Sequence, residues 1–195
     1  AIIAFHKLES ETGLKYLETA HKLDPVSTRF IERLGSYYFY CGKEDQALSF
    51  WEKTAQLAPA GTFRNKTEYH LSKGNYDAAC ECFSKAKEME PTNPWVPWME
   101  GFIAAKQGDK EGAQRAMHKI EENWTGAVDL NGIAFVYYAL GDLDSYFTYV
   151  NKVIDQHLVQ ARYVQYCPLF SEARTDQRYQ LVLGKLRNQF VPVSH

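Results

Sequence analysis

Four glycines recur in short polar turns along this chain: Gly42 in "YCGKEDQAL", Gly74 in "SKGNYDAA", Gly108 in "KQGDKEGA" and Gly141 in "ALGDLDSY". Their spacings are 32, 34 and 33 residues. A period of that length constrains the fold more than any other feature. It is too long for one element and too short for a domain, so each period must be a small unit that buries its apolar face by stacking on its neighbours. Ala47, Ala79 and Ala113 stand five residues after the first three glycines, and Trp51, Phe83 and Met117 four residues later again. Pro25, Pro59 and Pro91 close several periods.

Each feature has a mechanical role in a helix–turn–helix unit. Glycine takes the positive φ with which a first helix ends and the chain turns back. The alanine lets the two helices approach closely. The large apolar residue one turn on lies on the same face and fills the space against the next unit. Proline ends the second helix and suits the start of the next.

These residues resemble the tetratricopeptide repeat, a helix–turn–helix unit of 34 residues. The best copy is "RLGSYYFYCGKEDQALSFWEKTAQLAP", where Leu34, Gly35, Tyr38, Gly42, Ala47, Trp51 and Pro59 fall on the family's signature positions. A second copy is "GNYDAACECFSKAKEMEP", with Tyr76, Ala79, Phe83, Ala86 and Pro91. Weaker copies end at Pro25, start at Pro94 and span about 127–160. The resemblance implies an all-α fold, an α-α superhelix of about five tetratricopeptide repeats over 1–160, with a C-terminal helical cap over 161–195 of the same domain. Three departures carry expectations of their own. The third unit, "TFRNKTEYHLSKG", reads as two residues short in its first helix and lacks the small residue seven before its glycine. Tyr146 stands where alanine is usual, which should splay the fifth pair. Running the register backwards puts Ala1 midway along a first helix, so the first repeat reads as truncated, with further repeats or another domain before it.

The tail leaves the period. "YVQYCPLFSEARTDQRYQLVLGKLRNQF" resembles the C-terminal ending of bacterial tetratricopeptide proteins, including transcriptional regulators and adenylate cyclases, through Pro168, Leu169, Phe170, Arg174, Asp176, Arg178, Tyr179, Leu181 and Leu183. Gln177 replaces the proline of that pattern. Asp176 suits a helix N-cap, and Tyr179, Leu183 and Leu186 form one stripe at helical spacing that would cover the last repeat.

The stretch "EPTNPWVPWMEG" holds three prolines and two tryptophans. With Pro91 ending one unit and Pro94 opening the next, Pro97 falls in a first turn, whose N–H groups lack intrahelical partners anyway. The stretch therefore reads as a helix start and not a linker. Counted from Gly108, Trp95 and Trp98 take the second and fifth positions, which in the family face the concave groove. A slip of one residue would bury Trp98 instead.

No catalytic constellation of nucleophile, base and orienting group appears, so the chain does not read as an enzyme. No glycine-rich phosphate loop occurs. The six histidines, His6, His21, His70, His118, His157 and His195, include no metal-ligand pair on one helix, and Cys80 and Cys82 would point about 200° apart on a helix, so no metal and no cofactor are expected. The four cysteines are irregularly spaced and read as reduced thiols of a cytoplasmic protein. "NKT" at Asn65 and "NWT" at Asn123 fit the glycosylation sequon, a pattern short enough to arise by chance. A net charge of −2 argues against a nucleic-acid surface, and no apolar run approaches the ~20 residues that span a membrane.

A groove remains. The register places Arg29, Glu32, Ser36, Tyr40, Arg64, Glu68, Trp95, Trp98, Phe102, Asn131, Phe135 and Tyr138 along it. The family's best-understood site clamps a C-terminal carboxylate with Lys and Asn. Here the fifth positions are Glu32, Arg64, Trp98 and Asn131, so that clamp is missing. The aromatic lining suits a partly apolar protein or peptide segment. The competing structural reading is that some of these aromatics only fill a tight superhelix. The resemblance implies a non-enzymatic interaction module, the C-terminal regulatory region of a larger bacterial regulator. The alternatives are a sensory domain for a small effector, controlling an attached DNA-binding or cyclase domain, and self-assembly as a homo-oligomer.

Overall fold

A computed structural model describes residues 2–123, 127–156 and 163–190, with side chains over 11–123, 129–156 and 164–187. Expectations that touch Ala1, Trp124, Thr125, 157–162 and 191–195, and the side chain of His6, lie outside the described residues. Among the described residues the chain is all-α, without a strand. It divides into two compact units, 1–91 and 92–195. The division falls between Pro91 and Thr92, and the tail packs within the second unit.

Unit 1 contains α1 (Ile2–Leu23), α2 (Thr28–Tyr40), α3 (Glu44–Thr54), α4 (Pro59–Ser72) and α5 (Tyr76–Met89). Unit 2 contains α6 (Trp95–Lys106), α7 (Lys110–Glu122), α8 (Ala127–Ala139), α9 (Leu143–Asp155), the short α10 (Tyr163–Tyr166), two 3-10 turns (Pro168–Phe170 and Glu172–Thr175) and α11 (Gln177–Phe190). Helices α2/α3, α4/α5, α6/α7 and α8/α9 form four hairpins, and within a unit the first helices of successive hairpins also touch, α2 on α4 and α6 on α8.

The turns account for the period. Gly42, Gly74, Gly108 and Gly141 have φ of 72°, 73°, 82° and 79°. After each, the next residue's N–H donates back five positions: Lys43 to Tyr38 (2.9 Å), Asn75 to His70 (2.9 Å), Asp109 to Ala104 (2.9 Å) and Asp142 to Tyr137 (3.0 Å). This closure satisfies carbonyls that a helix end otherwise leaves open. Asp109 and Asp142 then cap the second helices, accepting from Gly112 N (2.8 Å) and Ser145 N (3.0 Å).

The small residues sit at the helix crossings: Ala47, Ala79 and Ala113 are each 0% exposed. In unit 1 the core gathers round Trp51, which meets Phe39 at 6.2 Å and Tyr69 at 6.0 Å between ring centroids, edge to face. Gly35 makes room for that indole, whose pyrrole edge a Cβ would strike. Tyr146 also lies fully buried at its alanine position, against Tyr138 at 5.3 Å and stacked on Phe170 at 5.9 Å.

One expectation is corrected. The third unit's first helix is not short: α4 has 14 residues against 13 in α2, because Pro59 is itself the first helical residue. Thr67 fills its small-residue position, fully buried, with its hydroxyl donating to Phe63 O at 2.8 Å. Helix α1 runs unbroken for 22 residues through Leu8, where the period would place a turn. No glycine stands there, and "HKLESET" lets the helix continue.

The prolines of "EPTNPWVPWMEG" fall as read. Glu90 caps α5, Pro94 precedes α6, and Pro97 lies in its first turn. Asn93 accepts from Trp95 N at 3.0 Å through its side chain and from Val96 N at 2.9 Å through its carbonyl, closing the helix start that the prolines cannot close. In the tail, Asp176 caps α11, accepting from Arg178 N at 2.9 Å. The stripe Tyr179, Leu183 and Leu186 is buried, together with Val182, and α11 packs on α9.

Candidate ligand face of the first helices

Unit 1 brings six of the groove candidates to the helices α2 and α4. Glu32, Ser36 and Tyr40 are four residues apart and so form one stripe along α2. Opposite them on α4 stand Arg64, Asn65 and Glu68. Arg64 donates through Nη2 to Glu32 Oε2 at 2.9 Å and through Nη1 to Glu90 Oε2 at the end of α5. Ser36 Oγ donates to Asn65 Oδ1 at 2.7 Å, and Asn65 Nδ2 donates to the Glu32 carbonyl at 3.1 Å. The Tyr40 hydroxyl donates to Glu68 Oε2 at 3.0 Å. Arg29 is exposed in the first turn of α2.

The result is a polar seam between two first helices. Its centre is one guanidinium shared by two carboxylates, with side-chain exposures of 18% for Arg64, 30% for Glu32 and 36% for Glu90. Burial pushes the Glu32 carboxyl above the usual carboxylate range, and the negative charge of Glu90 adds to this, against the pull of Arg64. Glu68 is buried under the phenol of Tyr40. Gly61 is what lets the seam close, since a Cβ there would run into the Glu32 side chain.

Unit 2 treats its six candidates differently. Trp95 is half-buried at the start of α6. Trp98 is half-buried too: its pyrrole edge lies over Gly132 of α8, and its ring meets Phe135 edge-on at 5.8 Å. Its Nε1 is buried without a hydrogen-bond partner among the described residues. The core places on α6 belong to Val96 and Met99, which are 4% and 1% exposed. Phe102, Asn131, Phe135 and Tyr138 do not line an open face. They are 2%, 3%, 3% and 5% exposed. The tail covers two of them: Phe170, itself fully buried, sits 4.6 Å from Phe135 and 4.9 Å from Tyr138, on which Phe102 stacks at 6.5 Å. Burial pushes the Tyr138 phenol up to about 12. Lys106 lies over the same aromatic group, 5.4 Å from the Tyr138 ring and 5.9 Å from Phe102.

Several participants escaped the sequence reading. Asn65 appeared only as a sequon, yet its amide is buried and engaged on both sides. Gly61 and Gly132 carried a usable signal, because a glycine inside a helical pattern often marks a close approach. Glu90 and Phe170 carried none, since their partners lie on other helices. Among the described residues no group of three His, Cys, Asp or Glu is placed to hold a metal ion, and no helix is long and apolar enough to cross a membrane. Among the described residues no disulfide joins Cys41, Cys80, Cys82 and Cys167.

Residues 68–93 match the tetratricopeptide repeat family. The matched stretch runs from Glu68 on α4 through the Gly74 turn and the whole of α5. It supports reading the neighbouring hairpins as further copies, and the repeat suggests a protein–protein interaction scaffold. None of the curated proteins matches the chain.

Proposed function

We propose that the chain is a non-enzymatic scaffold that binds a protein or peptide segment, and that it is the regulatory part of a larger bacterial regulator. Each unit offers its own candidate face: Arg29, Glu32, Ser36, Tyr40, Arg64 and Glu68 on unit 1, and, separately, Trp95 and Trp98 on unit 2. The observation that carries this reading is the seam between α2 and α4. Charged groups rarely stand half-buried between helices without a reason, because desolvating them is costly unless they are paired. Here Arg64 pairs with Glu32 and Glu90, Ser36, Asn65 and Tyr40 tie the two helices together beside them, and Glu32, Arg64 and Glu90 keep part of their surface open. Two carboxylates to one guanidinium suit a segment that brings a basic side chain. The regulator assignment draws its support from the tail's "PLF" and "ARTDQRY" stretches. The small-effector reading needs an open aromatic chamber, and Phe170 fills the one that unit 2 would offer.

The test is a peptide-display selection on the full chain, followed by titration of the enriched peptides. Arg64→Ala should weaken them by about 2 kcal/mol, as loss of an interface anchor does, and should leave the helical content unchanged. Enriched peptides indifferent to both Arg64→Ala and Trp95→Ala would place the binding surface elsewhere.

A further inference from the structure

The tail enters unit 2 as two dissimilar pieces. Helix α11 lies on α9 with a continuous apolar stripe. Residues 164–175 before it are made of the end of a four-residue helix and two 3-10 turns, conformations with few cooperative hydrogen bonds to hold them. Across the segment Arg174 Nη2 donates to the Cys167 carbonyl at 2.7 Å, and within its second turn the Thr175 hydroxyl donates to the Glu172 carbonyl at 2.8 Å. That closure presents Phe170 to the aromatic face of Phe135, Tyr138 and Tyr146.

The fit is apolar and good, but its polar side is incomplete. The Tyr146 hydroxyl and Asn131 Oδ1 belong to the helices beneath, and Gln165 Oε1 and Arg174 Nε to the segment. All four atoms are buried without a hydrogen-bond partner among the described residues. Asn131, Phe135 and Tyr138 share one face of α8 by their spacing of four and three residues. Stranded polar atoms of this kind oppose docking. An occupant that brings the same aromatic anchor and also meets the Tyr146 hydroxyl and Asn131 Oδ1, the two groups that stay with the helices, holds an advantage over the resident.

We infer that the face of α8 and α9 is a docking site for a turn that presents an aromatic side chain after a proline, and that "CPLF" of residues 167–170 is its built-in occupant. The site takes a segment of the same chemistry from a partner protein once residues 164–175 are released, while α11 stays in place as the cover of α9. This inference rests on reading the chain as an interaction module, and it adds the kind of partner and the way access is regulated.

The probe is a fluorescent synthetic peptide of residues 164–175 carrying serine in place of Cys167, titrated by anisotropy against the full-length chain. Two variants free the face: Phe170→Ala removes the anchor, and Arg174→Ala opens the turn without leaving a cavity in the aromatic cluster. The peptide should bind both variants at least about tenfold more tightly than the unsubstituted chain, one such factor being 1.4 kcal/mol. A peptide with Phe170→Ala should bind none of them. Equal binding to all three chains, or no gain in variants that keep their helical circular dichroism, would overturn the inference. So would loss of the fold in both variants, because a separable occupant can be removed without taking the domain with it. Peptides selected on the seam of unit 1 give the independent readout. If they bind while the tail peptide fails, only this inference falls.

Discussion

Trp98 and Gly132 show how one residue's place depends on another's absence of a side chain. The indole lies across α8 where a Cβ on Gly132 would meet its Cδ1 and Nε1, and its other neighbour is the edge of Phe135. Trp98 is thus wedged between two first helices and keeps only part of its ring in solvent. Gly132→Ala should cost roughly 1–3 kcal/mol, as overpacking does, by driving the indole out of its slot. Trp98→Ala should cost less than the roughly 3–5 kcal/mol of a fully buried aromatic, because part of the side chain is already in water. With the indole gone, the added methyl has room, so the double variant should be clearly more stable than the sum of the two losses implies. Urea melts of the four chains measure that coupling. Additive losses would show that the ring does not rest on Gly132.

At the scale of the element, the hairpin is what the sequence announced most plainly. The reason is local. Only glycine takes a φ near +75° at little cost, so the turns between first and second helices print themselves into the chain at every period, and the alanines five residues on follow from the crossing they permit. Gly74→Ala should therefore destabilise the chain by about 1–2 kcal/mol, the cost of a side chain in the left-handed region. Gly184 gives the opposite sign. It lies inside α11, exposed, with nothing within 4 Å of the place a Cβ would take, so Gly184→Ala should stabilise by about 1 kcal/mol through helix propensity. Thermal melts of the two single variants decide, and a neutral Gly74→Ala would remove the turn argument. What was not legible is equally physical. The unbroken course of α1 reflects the absence of a turn residue near Leu8, which a period carried backwards from Gly42 does not register. The insertion of Phe170 among Phe135, Tyr138 and Tyr146 is a contact between helices far apart in the chain, and no local pattern encodes it. The register did place four aromatic or amide residues on one face of α6 and α8. It could not say that the chain would cover that face with its own tail.

Taken as whole molecules, the two compact units put the same repeat to different ends. Unit 1 leaves the space between its first helices to polar groups, with Arg64 held between Glu32 and Glu90 and the whole seam fastened by Ser36, Asn65 and Tyr40. Unit 2 fills the corresponding space with aromatic rings and closes it with the segment that carries Phe170. The partly apolar lining expected along the array is thus internal to unit 2, and the open chemistry on the first helices is ionic in unit 1 and indole at the start of α6. Under the proposed function a partner meets those first helices, not the second helices of the hairpins. Amide hydrogen exchange on the full chain, with and without a peptide enriched by display, measures this most directly. The account predicts added protection in 28–40 and 59–72 of unit 1 and at the start of α6 in unit 2. Protection confined to the second helices α3, α5 and α7, with none on α2 or α4, would contradict it.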